Sequence, residues 1–187
     1  MTRRPVPREL LAGAAPQVAP LLLNAILQVG GRAGRIVEVE AYGGDPTSGD
    51  PASHAHRGPT VSNASMFARA GTLYCYRSYG IHTCANVVTG TQGDGQAVLL
   101  RALTPLDDVA GMWACRPAAR REVDLANGPG KLCEALGITL DHDGVDLCDG
   151  SSPVRLLTDG TAAPSLVRRD PRVGITKAAD RLLRFRV

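Results

Sequence analysis

Arg35-Ile36-Val37-Glu38-Val39-Glu40-Ala41-Tyr42 is the stretch from which the fold reads outward. Its β-branched residues and period-two alternation predict a strand. That alternation places Ile36, Glu38, Glu40 and Tyr42 on one face and Val37, Val39 and Ala41 on the other. Glu40 is the chemically interesting member. A carboxylate on an apolar strand, two residues before a tyrosine, can be a general base set by partial burial, or half of a surface ion pair.

Upstream, Arg8 to Val29 carries apolar residues at a broadly helical spacing interrupted by Pro16 and Pro20, and Gly30-Gly31 makes a turn into the strand. Downstream, Gly43 to Thr60 is a loop rich in Gly, Pro, Asp and Ser, long enough to suggest function or disorder. Leu73 to Val88 alternates again and reads as a hairpin bent at Tyr79-Gly80. Gln92 to Gly95 is a turn, and Ala97 to Leu103 is a buried strand carrying Arg101. Pro105 to Arg121 is expected to be helical, and Gly128-Pro129-Gly130 opens a short helix to Leu136. Short strands follow at Val154 to Leu157 and Leu182 to Val187. The order is no βαβ repeat, so the expected class is α+β, with a central antiparallel or mixed sheet.

The 187 residues fit a single domain spanning 1–187, with 44% hydrophobic and 21% charged residues, as in an ordinary globular protein. A net charge of +3 permits nucleic-acid binding without demanding it. Five cysteines without a Cys-x-x-Cys pair fit reduced thiols rather than a disulfide frame or a zinc site. The apolar stretch Val18 to Val29 is too short to span a bilayer and is interrupted by Asn24 and Gln28. A cytoplasmic, metal-free and cofactor-free protein with no membrane contact is therefore expected.

Aromatics are scarce, at 4%, yet Tyr42, Tyr74, Tyr76 and Tyr79 fall in one short stretch with three of the four histidines. Amphipathic rings beside a carboxylate suit a flat, polar, aromatic ligand such as a nucleobase. Ordinary strand tyrosines are the competing reading. Tyr74 and Tyr76 share a face, whereas Tyr79 falls at the bend, where a ring can project outward. Arg101 emerges from an apolar strand and needs an anion: a protein carboxylate in a structural ion pair, or a ligand phosphate.

Glu38 to Tyr42, Asp50 to Gly58, Met66-Phe67, Gly71 to His82, Cys84-Ala85-Asn86, Gly93-Asp94-Gly95, Val98 to Pro105, Gly128 to Cys133 and Pro171 to Asp180 follow one another in order. Together they resemble the alkyladenine (3-methyladenine) DNA glycosylase family over nearly the whole chain. The resemblance implies a single-domain α+β enzyme with a protruding β-hairpin, which removes damaged purines from duplex DNA and acts as a monomer. By this resemblance Glu40 matches the general base, and Arg101 the arginine that helps hold the attacking water and the flipped nucleotide's phosphate. Tyr42, His54 and Tyr76 match residues enclosing the extruded base. Asn86 matches the asparagine that crowds the amino group of guanine, and Tyr79 the residue filling the gap in the duplex. Ile81, Arg57, Lys131 and Lys177 are the further candidates for DNA contact.

The chemistry suits those assignments. A stacked base must be rotated out to be reached, at a cost of a few kcal/mol. An alkylated purine is cationic, so aromatic walls attract it, and it leaves easily. A neutral lesion such as hypoxanthine needs protonation, and no residue reads as a clear acid for it. No lysine lies in the aromatic cluster to form a Schiff base, which predicts simple hydrolysis to an abasic site.

Some positions depart from the family pattern. Val61-Ser62-Asn63 stands where Pro-Arg-Asn is usual, removing a cation, and His56-Arg57 replaces an aromatic-Arg pair. Ile81 replaces a common Met, and Leu182-Leu183-Arg184-Phe185 a Trp-Arg-Phe ending. Two other classes remain open: a damaged-DNA-binding module with little or no catalysis, and an enzyme acting on a small aromatic ligand. Salt-dependent duplex binding separates the last from the other two.

Overall fold

The computed structural model describes residues 2–43 and 49–187. Nine strands form one antiparallel sheet: β1 (Arg4–Pro5), β2 (Ile26–Val29), β3 (Arg32–Tyr42), β4 (Leu73–Ser78), β5 (His82–Thr89), β6 (Gln96–Asp107), β7 (Val154–Thr158), β8 (Arg168–Asp170) and β9 (Arg184–Arg186). The order is β1-β7-β2-β3-β6-β5-β4, and β9 lies beside the second half of β3 and carries β8 on its outer side. Among the described residues three short α-helices, α1 (Ala15–Val18), α2 (Val109–Cys115) and α3 (Pro129–Leu136), and six 3-10 helices complete the regular structure. The expected α+β class holds, and every pairing between the strands is antiparallel.

The two faces of the central strands divide the labour. Leu73 and Cys75 of β4, Ala85 and Val87 of β5, Val98 and Leu100 of β6, and Val39 and Ala41 of β3 enter the main core with Leu132 and Leu136 of α3. The alternate residues point to the opposite face. There Met66, Tyr74, Val88 and Ala97 make a second, smaller cluster flanked by Tyr42, Ala55, Phe67 and Tyr76. Period-two alternation on three adjoining strands thus collects the polar and aromatic residues on one side of the sheet.

The regular alternation expected for Arg35–Tyr42 is broken. Ile36 pairs with Leu103 and Glu38 with Ala102, so Val37 is an extra residue on β3; Val39 then pairs with Leu100, leaving Arg101 extra on β6. These two bulges correct the expected facing of Ile36, which joins the main core with Val39 rather than sharing a face with Glu40. Bulges bend a strand and re-aim its side chains. Here they turn Glu38, Glu40 and Arg101 toward one another.

Two further segments differ from expectation. The helical spacing of Arg8–Val29 is realised only as short turns up to Leu22, and Ile26–Val29 is a strand held between β3 and β7. Pro16 and Pro20 sit in the first turns of short helical pieces, where a missing N–H costs nothing, and prevent a long helix. Pro105 does not start a helix, because β6 continues to Asp107; α2 begins after Asp108 caps it through Gly111 N–H. The helix stops at Cys115, short of the expected Arg121, where Arg116 leaves helical geometry at φ −124° and ψ 58°.

Candidate active site

Glu40 is fully buried, with three donors around its carboxylate. Tyr42 Oη donates to Oε2 at 2.9 Å, the Val173 N–H donates to Oε1 at 2.8 Å, and Arg101 Nη1 lies 3.2 Å from Oε2. The surface ion pair considered for Glu40 is excluded by this burial. Arg101 also donates from Nε to Glu38 Oε1 at 2.9 Å, and Arg184 approaches the same oxygen at 3.5 Å. Of the two anions considered for Arg101, the protein carboxylates are therefore present. Burial acts against the Arg101 charge, but Glu40 and Glu38 outweigh it and raise its pKa above the ordinary value. For Tyr42, burial and then the Glu40 charge push the hydroxyl well above its usual pKa, so it remains a neutral donor.

Beside this group opens a cavity of about 480 Å³, lined by Tyr42, His54, Tyr76, Asn86, Arg101 and Pro129 among others. Glu40 is set just behind that lining: Tyr42, Arg101 and Val173, its three partners, all face the cavity. The tyrosine rings of 74 and 76 are stacked, with centroids 5.7 Å apart, and the His54 ring meets Tyr76 edge-on at 4.5 Å. Tyr74 Oη lies 2.8 Å from His54 Nδ1. Burial raises the Tyr74 pKa to about 12, so its hydroxyl keeps its proton, and packing lowers that of His54, so its ring is neutral near pH 7. In that state Tyr74 donates and Nδ1 accepts. Asn86, also buried, donates Nδ2 to the Tyr74 carbonyl across the β4–β5 pair, which holds its amide at the cavity wall.

The end of the β4–β5 hairpin forms one rim of the cavity, with Ser78 and Tyr79 in its lining. Tyr79 and Gly80 both have positive φ, 51° and 70°, and the Ile81 N–H donates to the Ser78 carbonyl at 3.0 Å. This tight turn presents Tyr79 and Ile81 at 85% and 72% exposure, apolar groups that the fold has no internal use for. A second cavity, of about 810 Å³, shares His54, Tyr74, Tyr76 and Arg77 with the first and adds His56, Arg57 and Lys177. Lys131 lines neither cavity; it is exposed on α3 and bonded to Asn127.

Three contributors were not singled out from the sequence. Glu38 orients Arg101. Tyr74 fixes the His54 ring, although sequence alone suggests only a structural strand residue. The Arg172–Asp50 pair joins the Val173 segment to the loop before His54. Alternation on β3 could have flagged Glu38; nothing local marks Arg172. Among the described residues no group of three or more His, Cys, Asp or Glu side chains is gathered to hold a metal, and all five cysteines are free. No helix among them is long and apolar enough to cross a membrane.

A curled antiparallel sheet that sets a buried Glu–Arg pair behind an aromatic-walled cavity has the arrangement of an enzyme active site. Comparison with known proteins specifies which. The profile described as "Methylpurine-DNA glycosylase (MPG)" matches residues 9–187, and the chain belongs to that family, as a hydrolase of N-glycosyl bonds in DNA repair. It is 47% identical over 176 residues to a Burkholderia lata protein, covering 94% of this chain and 84% of that one. It is 49% identical to a Nocardia farcinica protein, covering 91% and 81%, and 53% identical to one from Methanoculleus marisnigri, covering 82% and 78%. Each relative bears the name "Putative 3-methyladenine DNA glycosylase".

Proposed function

We propose that the chain excises alkylated purines such as 3-methyladenine from duplex DNA by hydrolysis, acting as a monomer, with the damaged nucleotide rotated out of the helix. The supporting observation is the juxtaposition of three parts: buried Glu40 held by Arg101, a ring-walled cavity of about 480 Å³, and the exposed Tyr79 turn beside it. In this reading the base enters between Tyr42, His54 and Tyr76, while Tyr79 fills the space it vacates. A cationic purine is drawn to the neutral ring faces. Asn86, fixed at the wall, takes up the room that the exocyclic amine of guanine needs.

The bond from C1′ to the purine nitrogen breaks with its electron pair going to the base, so a cationic base departs neutral. Glu40 stabilises the positive charge that develops on the sugar and takes a proton from the water whose oxygen joins C1′. The water reaches Glu40 when the Tyr42 hydroxyl gives up Oε2, the acceptor it occupies in the free protein. Among the described residues no lysine lines this first cavity, in keeping with release of the base without a Schiff base and without strand cleavage.

The test is Glu40→Gln, which keeps shape and hydrogen bonding but removes the base. Single-turnover release of 3-methyladenine from a duplex is expected to fall about 10²- to 10⁴-fold, the usual worth of general-base catalysis. Affinity for the lesion duplex is expected to persist. Release at the wild-type rate would falsify the role of Glu40, and a wild-type protein that binds lesions without releasing any base would instead indicate a binding module.

A further inference from the structure

Arg172 is fully enclosed and serves two places at once. Its Nη1 donates to Asp50 Oδ2 at 2.5 Å and to the Ala41 carbonyl at 3.0 Å, while Nη2 donates to Asp50 Oδ1 at 2.8 Å. The two side chains are 0% and 1% exposed. The guanidinium carbon also lies 4.5 Å from the centre of the Tyr42 ring. Asp50 in turn accepts the Gly43 and Ala52 N–H groups, gathering the chain on both sides of the residues leading to His54. Burial opposes the Asp50 charge, but Arg172 and the Gly43 N–H outweigh it and hold its pKa below the usual carboxylate value.

Removing two charges this completely from water is costly, and a purely structural fastening is as well served by apolar packing. What the pair does that packing cannot is fix a direction. Arg172 is adjacent to Val173, whose N–H points at Glu40 Oε1, and its bond to the Ala41 carbonyl anchors it to the strand residue between Glu40 and Tyr42. We propose that Arg172, locked bidentately to Asp50, is a positioning residue that holds the Val173 N–H on Glu40 and the Tyr42 ring against the base cavity. This rests on the reading of Glu40 as the base.

Two variants separate positioning from simple support. Arg172→Lys keeps the charge but cannot serve both Asp50 oxygens and the Ala41 carbonyl together. Val173→Pro deletes the N–H at a residue that is 47% exposed, while also fixing φ there and restricting the backbone of Arg172 before it. For each, single-turnover release of 3-methyladenine is expected to fall about 10- to 100-fold, the scale of a misplaced catalytic group. The loss is expected in that rate constant, with the enzyme concentration that half-saturates single-turnover release unchanged. Binding to a duplex containing a baseless tetrahydrofuran site, which needs Tyr79 but no base, should stay within twofold. The double variant should be no slower than the worse single one, since both act through one hydrogen bond.

A lower active fraction with unchanged rate constant, or effects that multiply in the double variant, would overturn the proposal. If Arg172→Lys does not fold, a wild-type rate constant in Val173→Pro overturns it alone. Glu40→Gln distinguishes the failures. An active Glu40→Gln refutes the base itself, whereas an inactive Glu40→Gln beside wild-type Arg172→Lys and Val173→Pro refutes only the positioning role.

Discussion

At the scale of single residues, the candidate site is a set of polar groups each given one task by its neighbours. His54 illustrates how a neutral state is maintained: packing against Tyr76 lowers its pKa, and the Tyr74 hydroxyl needs it as an acceptor. A folded-state pKa below the ordinary value means that the neutral form is fully present above about pH 6.5 and is lost as pH falls through the lowered value. Protonation there both breaks the Tyr74 bond and sets a cation beside a cationic base. Affinity for a duplex carrying a cationic alkylpurine is therefore expected to decline on acidification, in step with His54 followed by NMR. An affinity that is flat across that titration would refute the coupling. Tyr79 has the opposite character, exposed and held only by its turn. Tyr79→Ala is expected to weaken binding to an abasic duplex by about 1–3 kcal/mol, the usual value of one base–aromatic stack. Equal affinity would count against the wedge.

At the scale of elements, the sequence was most informative where alternation and turn chemistry act locally. The hairpin of Leu73–Val88 is as expected, because period two and Tyr79-Gly80 specify it within a few residues. Ile26–Val29 was not legible as a strand, since its apolar run suits a helix equally and only the flanking β3 and β7 decide. The bulges at Val37 and Arg101 were not legible either. They exist only as a mismatch of register between two strands 60 or so residues apart. The junction of hairpin and helix is also set by packing. A Cβ on Gly130, at the start of α3, would lie 2.8 Å from His82 Cβ. Gly130→Ala would gain up to about 1 kcal/mol of helix propensity. The overlap is with an atom fixed to the β5 backbone, and such overpacking costs about 1–3 kcal/mol. A lower melting temperature and a slower excision rate are expected together; a more stable variant would show that α3 is free to move.

At the scale of the whole molecule, paired charges tie distant segments together, and, among the described residues, several cations without an ion pair border the second cavity. Arg8 and Arg69 hold Asp146, Arg168 and Arg186 hold Asp170, and Arg172 holds Asp50. All three carboxyls have pKa values below the ordinary one. Groups depressed in the folded state contribute stability that is complete above the unfolded value near pH 4 and is lost as pH falls through the native values. Thermal melts are expected to be steady from about pH 7 to pH 5 and to fall steeply below about pH 4. Melts that stay level to pH 3 would show that these pairs contribute nothing net. Arg57, Arg77, Lys131 and Lys177, by contrast, have no ion-pair partner among the described residues, and three of them border the second cavity next to the Tyr79 hairpin.

The sequence by itself determined the α+β class, the hairpin, and the candidate residues Glu40, Arg101, Tyr42, Tyr76 and Tyr79, because each rests on local spacing or on ordered motifs. Only the tertiary structure decided that Glu40 is buried behind the cavity wall rather than on it. It alone turned Arg101 toward two glutamates by opposed bulges, and brought Arg172 across 131 residues to the Ala41 carbonyl. Alternation is a property of one strand and can be read from it. Register between strands, and the burial of a charge pair joining distant loops, arise only when the whole sheet has closed around them.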